Sequence, residues 1–167
     1  AQKNVAPAGV TIVIVRKDLV GHAPANTPIY LDYATHAKKG SMYNTPPCYP
    51  IYVAGEGFKY LLRNGGVKAT HERDVEKAKI LYDYLDKSEM FKPSVAKEDR
   101  SLMNITFVTG DADLDKKFIA GAREAGMINL AGHRSVGGMR ASIYNAMPKE
   151  GVETLVAYME KFENENK

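Results

Sequence analysis

Tryptophan is absent from the 167 residues and cysteine occurs once, at Cys48. A lone cysteine excludes an intramolecular disulfide and a thiolate metal cluster, and it suits a reducing cytoplasm. The four histidines, His22, His36, His71 and His133, show no metal-ligand spacing, so no bound metal is expected. Long apolar runs are also missing. The strongest near the start, Val10 to Val15, falls far short of the roughly 20 residues that cross a bilayer, and no signal pattern accompanies it, so no membrane role is expected. Charge of neither sign accumulates: 23 Lys and Arg face 20 Asp and Glu, scattered along the chain. That distribution lacks the basic stripe of a nucleic-acid binder and leaves a small anionic ligand open.

What is present is enough apolar material, 44% of the residues, to build one large or two small domains. The chain begins Ala1-Gln2-Lys3 and runs almost at once into an apolar segment, with none of the polar slack common at a domain start, so a fragment or a processed chain is expected. The turn Ala6-Pro7-Ala8-Gly9 leads into the β-branched run Val10 to Val15, which reads as a buried strand. Arg16 to Gly40 reads as loop, with a short strand at Ile29 to Tyr33. Pro46 and Pro47 hold Asn44 and Thr45 extended before a helix that carries Ile51, Gly55, Phe58 and Leu62 on one stripe and stops at Asn64-Gly65-Gly66. Residues in that place are either helix caps or ligands for a phosphate at the helix N-terminus.

Val67 to Ser88 forms a second helix by its periodicity, with Val75, Ala78, Leu81, Tyr82 and Leu85 inward and Glu72, Arg73, Glu76, Lys77 and Lys79 on a solvated face. Leu102 to Val108 alternates as a strand, and Ala112 to Ala125 is a helix capped by Asp111 and ended by Gly126. Met127 to Leu130 reads as a short strand beside Met139 to Tyr144, and a last helix starts near Pro148, buries Val152, Leu155, Val156, Met159 and Phe162, and frays from Glu163 onward. A boundary near Gly65-Gly66 separates a β-containing part, residues 1–65, from a small α+β domain, residues 66–167.

The chemistry concentrates between Gly132 and Ala146, where His133, Arg134 and Arg140 surround the pair Gly137-Gly138. Met139, Ala141 and Ile143 alternate with Arg140, Ser142 and Tyr144, so the Arg140 guanidinium leaves the face opposite the apolar one. Such an arginine is either a solvated or ion-paired surface residue or a fork for carboxylate or phosphate oxygens. Lys3 by itself is a solvated surface amine or a reactive one.

Three segments, Ala1-Gln2-Lys3-Asn4 with Pro7-Ala8-Gly9, Ser41-Met42-Tyr43-Asn44-Thr45-Pro46-Pro47, and Gly132 through Ala146, occur in an order and with contents that closely resemble the phosphoserine aminotransferase family. The resemblance spans this chain and about half of the family's. It implies an α/β and α+β protein: the C-terminal portion of a large pyridoxal-phosphate aminotransferase fold, with residues 1–65 ending the large cofactor-binding domain and 66–167 forming the small C-terminal α+β domain. By the same resemblance Lys3 is the catalytic Schiff-base lysine, which also moves a proton at the substrate Cα; Gln2 contacts the pyridoxal 5'-phosphate beside it; and Asn44 and Thr45 bind the cofactor phosphate of the neighbouring subunit in a homodimer. Arg140 holds the substrate α-carboxylate, and His133 and Arg134 reach the phosphate of substrate in the partner subunit. The implied reaction exchanges an amino group between phosphoserine with 2-oxoglutarate and 3-phosphohydroxypyruvate with glutamate, in serine biosynthesis in the cytoplasm, and some family members also serve pyridoxine biosynthesis. The aromatic that stacks on the cofactor lies upstream in that family, so this chain alone is expected to be inactive. The alternatives are another aminotransferase of the fold, of alanine-glyoxylate or serine-pyruvate type, and a non-catalytic anion-binding or dimerisation module.

Overall fold

Among the first sixty residues only Ala6 and Ala54 are buried. The computed structural model describes all 167 residues, Ala1–Lys167, and the chain divides into two compact units, Ala1–Tyr60 and Leu61–Lys167.

The first unit holds 3-10 turns at Lys17–Leu19 and Ile29–Leu31, helix α1 at Tyr33–Lys38 and most of helix α2 at Cys48–Arg63. Two expectations fail here. Val10 to Val15 is not a buried strand: it has no ladder neighbour, and Ile14 is 96% exposed, because extended backbone gains nothing without a strand to bond. Ile29 to Tyr33 is not a strand either, since the Asp32 carboxylate accepts from Ala34 N at 2.9 Å and starts α1 there. The α2 helix forms where expected, but its stripe at Ile51, Phe58 and Leu62 stays exposed. The N-terminal segment does meet α2. A Cβ on Gly57 would lie 3.0 Å from Val5 O, and one on Gly9 would lie 2.9 Å from Pro50 Cγ.

The second unit has a core in which alternation and helical periodicity converge. Strands β1 (Lys92–Pro93), β2 (Asn104–Val108) and β3 (Met139–Ser142) form an antiparallel sheet in that order, with Asn104 opposite Ser142 and Thr106 opposite Arg140. One sheet face buries Ile105, Phe107, Met139 and Ala141 together with residues of α3 (Gly66–Leu85), α4 (Ala112–Glu124) and α5 (Lys149–Glu165). Phe91, Phe107, Phe118 and Phe162 meet there mostly edge to face, with Phe91 and Phe118 centroids 5.0 Å apart, a geometry that adds about 0.5–1.5 kcal/mol per pair beyond area burial. The other face carries Asn104, Thr106, Arg140 and Ser142, all partly exposed.

Local signals set the α4 ends as the sequence predicts. Asp111 accepts from Asp113 N and Leu114 N, and Gly126, at φ 87°, closes the helix through Met127 N to Ala122 O and Gly126 N to Arg123 O. Met127 to Leu130 is not a strand. Asn129 at φ 63° interrupts the extended run, leaving an isolated bridge from Ala131 to Met139 and a bond from Arg140 N to Leu130 O; the ladder neighbour of β3 is β2. No helix is long and apolar enough to cross a membrane.

Two charged residues expected in solvent are buried. Lys77 is 4% exposed within α3 and Glu163 is 6% exposed near the end of α5. Glu163 accepts from Tyr84 OH and Ser88 Oγ, both at 2.7 Å, and from the backbone N–H groups of Glu89 and Met90. Burial pushes its pKa upward, but these donors outweigh burial and lower it to about 2. Its stabilising effect is therefore full above the ordinary value of 4.5 and is lost as pH falls toward 2. Glu163→Gln is expected to cost about 1–3 kcal/mol in urea unfolding at pH 7, since an amide cannot satisfy four donors. The gap between the two proteins should close as the pH drops; a gap that is constant with pH contradicts this account.

Candidate functional site

Arg140 reaches its position because β3 alternates: Met139 and Ala141 are buried on the core face, which sends Arg140 and Ser142 to the other. Its backbone is held on one edge by Arg140 N to Leu130 O at 2.7 Å, and across the ladder it stands opposite Thr106. The side chain is half-buried, and its Nε is buried without any hydrogen-bond partner. A buried donor without an acceptor costs about 1–3 kcal/mol, which an anion in contact with the guanidinium removes. Beside it Asn104 Oδ1 accepts from Ser142 Oγ at 3.1 Å and from Tyr144 OH at 3.0 Å. That network stiffens the polar face next to the arginine. The period-two pattern marks Ser142 and Tyr144 as sharing Arg140's face, but Asn104 joins them only through strand pairing.

His133 and Arg134 are exposed and share one loop. Gly132 N donates to Gly138 O at 2.8 Å, closing the loop onto the start of β3, and His133 O accepts from Val136 N and Gly137 N. The glycines are required sterically. A Cβ on Gly132 would lie 2.0 Å from Gly137 O, and Gly138 combines φ 65° with a Cβ position 2.6 Å from Val108 Cγ1. The structure thus places His133 and Arg134 on a tight loop that leads directly into the strand bearing Arg140.

In the first unit, Gln2 and Lys3 occupy an exposed turn, with Lys3 at φ 76°. A left-handed conformation is uncommon for a lysine, costs of order 1–3 kcal/mol and clusters at functional positions. Buried Ala6 and the close approach of Val5 O to Gly57 follow within three residues and hold the end of that turn. Asn44 and Thr45 are exposed and lie between two fixed points: Tyr43, whose ring meets the edge of His36 at 6.2 Å, and Pro46-Pro47 at the mouth of α2. Neither is a cap. The first helical bond goes from Ile51 N to Pro47 O, because the two prolines push the helix start beyond the reach of Asn44 and Thr45.

A family model described as aminotransferase class-V matches residues 1–155, a span that includes all seven of these residues. The chain belongs to the aminotransferase class-V family. Among its relatives, a phosphoserine aminotransferase of Mannheimia succiniciproducens is 55% identical over 99% of this chain and 46% of its own length. A phosphoserine aminotransferase structure from Bacillus circulans subsp. alkalophilus superposes with a TM-score of 0.88 at 42% identity, covering 92% of this chain and 43% of that one. A pyridoxal-phosphate-bound phosphoserine aminotransferase from Trichomonas vaginalis gives 0.77 at 39% identity, over 82% and 39%. The class-V chain described here therefore spans about half the length of the relatives it matches. Its fold agrees with the C-terminal portion of that architecture, mixed helix with a small antiparallel sheet.

Proposed function

We propose that the whole protein is a phosphoserine aminotransferase, acting as a cytoplasmic homodimer with shared active sites, and that this chain is its C-terminal part. In this reading residues 1–65 end the large cofactor-binding domain and 66–167 form the small one. The observation that carries it is the 55% identity over 99% of this chain to a phosphoserine aminotransferase, beside a class-V match whose span includes Gln2, Lys3, Asn44, Thr45, His133, Arg134 and Arg140. Pyridoxal phosphate supplies, when bound, an aldehyde carbon for an amine and a ring that accepts electron density from the bond broken at the substrate Cα.

The residues present fit such a cofactor and its anionic substrates. Lys3 is the one candidate with the primary amine that carbon needs, and it sits exposed on a constrained turn. Its Nζ, once free, moves the proton at the substrate Cα. Gln2 adjoins it, and Asn44 and Thr45 offer exposed side-chain donors ahead of α2 to the cofactor phosphate of the neighbouring subunit. Arg140 binds the α-carboxylate, the group shared by every amino-acid and oxo-acid substrate of the reaction. Its buried, unpartnered Nε supports that assignment. His133 and Arg134 take the distal anion, phosphate or γ-carboxylate, of substrate bound in the partner subunit. One fixed arginine and one tolerant cationic pair let a single pocket serve two substrates in turn. A phosphorylated hydroxy-threonine satisfies the same two contacts, which extends the reading to pyridoxine biosynthesis.

The test is amino transfer from phosphoserine to 2-oxoglutarate by the full-length protein. His133→Ala with Arg134→Ala removes two charge-assisted contacts and is expected to lower kcat/KM for phosphoserine at least about 100-fold. An unphosphorylated amino acid should lose far less; equal losses favour an alanine-glyoxylate or serine-pyruvate type enzyme. The isolated 167-residue chain is expected to show no appreciable turnover.

A further inference from the structure

His36, in α1, joins the turn before that helix to the segment that delivers Asn44 and Thr45. Its Nε2 lies 2.7 Å from Tyr30 O. A carbonyl oxygen only accepts, so Nε2 donates there in either charge state of the ring. The imidazole also meets two tyrosine rings edge to face, Tyr30 at a centroid distance of 5.2 Å and Tyr43 at 6.2 Å. The backbone adds another tie, because His36 O accepts from Ser41 N at 2.9 Å. Gly40 and Ser41, left-handed at φ 55° and 64°, reverse the chain at the end of α1. A serine in that conformation persists only where its surroundings hold it.

We propose that His36 is a positioning residue for the cofactor: through Tyr43 its ring fixes the approach of Asn44 and Thr45 to the phosphate of pyridoxal 5'-phosphate. The inference rests on the proposed contact of Asn44 and Thr45 with that phosphate. Two exposed side chains on a loop bind an anion well only if the loop is ordered beforehand, since freedom lost on binding is subtracted from the affinity. After Thr45, Pro46 and Pro47 supply that order by fixing φ. Before Asn44 there is no proline. Ser41 to Tyr43 are held by Ser41 N to His36 O, by Met42 N to Lys39 O at 3.0 Å, and by the Tyr43 ring against His36. Any residue at position 36 would offer the backbone oxygen to Ser41. Only the side chain donates to Tyr30 O and at the same time meets Tyr43, so the imidazole itself carries the link.

The test is a titration of the full-length protein, stripped of cofactor, with pyridoxal 5'-phosphate and with pyridoxal, which has the aldehyde but no phosphate, each followed by absorbance. His36→Ala should raise the Kd of pyridoxal 5'-phosphate about tenfold, the worth of one ordinary hydrogen bond. The Kd of pyridoxal should stay unchanged, because only the phosphate reaches Asn44 and Thr45. Tyr43→Leu leaves α1 and His36 intact and should weaken binding several-fold in the same phosphate-dependent way, so the result does not hang on the folding of His36→Ala. Asn44→Ala with Thr45→Ala is the reference, and in that background His36→Ala should add nothing. An unchanged Kd in both His36→Ala and Tyr43→Leu, equal weakening of the two ligands, or a His36 effect that adds in full to the double-alanine variant overturns the proposal and leaves the phosphate contacts standing. A double-alanine variant that binds pyridoxal 5'-phosphate as tightly as the unaltered protein refutes those contacts instead, and the proposal falls with them.

Discussion

Replacing Lys3 with alanine in the full-length protein is expected to lower amino transfer by about 10⁴-fold, the upper end of what one positioned proton-transfer group contributes. In the proposed reading the loss is large because the one amine has two tasks, covalent attachment to the cofactor and proton movement at the substrate Cα, and a methyl group performs neither. Lys3→Arg is the informative companion. It keeps the positive charge and much of the length, but a guanidinium stays protonated and does not exchange as an amine. If Lys3 serves only as a surface charge, the arginine variant works; retention of more than a small fraction of the unaltered rate would sink the assignment. A small primary amine added to Lys3→Ala should recover part of the proton-transfer rate, since the shortened side chain leaves room for it.

The largest effect on stability is expected at Lys77. Its ammonium donates to three carbonyls, Ile143 O at 3.3 Å, Tyr144 O at 2.9 Å and Met147 O at 3.1 Å, and lies 3.1 Å from Asp74 Oδ1. Both side chains of the ion pair are 5% exposed. Three protons serve three carbonyls, so Asp74 is held by charge without a hydrogen bond at Oδ1. The lysine thereby ties α3 to the segment that follows β3, the strand carrying Arg140. Lys77→Met preserves volume but strands a buried carboxylate and three carbonyls, and should cost about 3–5 kcal/mol in urea unfolding. Asp74→Asn should cost less, because the carbonyls continue to hold the ammonium. A Lys77→Met cost below about 1 kcal/mol would mean that the pair is solvated, contrary to its burial here.

Lys77 also shows where reading the chain stops. In the chain it stands among Glu72, Arg73, Glu76 and Lys79, which are exposed, yet on the helical wheel it shares the buried stripe of Thr70, Asp74 and Leu81, so only its charge marks it as solvated. Its acceptors lie 66 to 70 residues away. Glu163 is the same case, with partners 73 to 79 residues distant at the far end of the unit. A charged residue reads as solvated by default, and only a remote set of matching polar groups makes its burial favourable. The contact of Ser135 with His133 is illegible in the sequence for a different reason. The partners are two residues apart, but the contact depends on the turn that Gly132, Gly137 and Gly138 impose.

Val10 to Val15 fails in the opposite direction. Its composition is that of a strand, yet strand formation requires a neighbour, and no segment of this chain supplies one. By contrast α2, α3, α4, α5, β2 and β3 appear where periodicity puts them, because a helix closes its bonds within itself and β2 and β3 bury complementary apolar faces on shared helices.

The sequence by itself determined the family, through motifs that place an amine at Lys3 and cations at His133, Arg134 and Arg140, and it determined the elements whose stabilising contacts are local. Asp111 and Gly126 are of that kind, acting within one turn of the helix they bound. The tertiary structure alone decided that Arg140 keeps a buried Nε without an acceptor, that Lys77 and Glu163 lie inside, and that Asn104 joins the arginine's face. Each of these depends on groups brought together across dozens of residues, and burial in a low-dielectric interior turns such encounters into energies that no local pattern records.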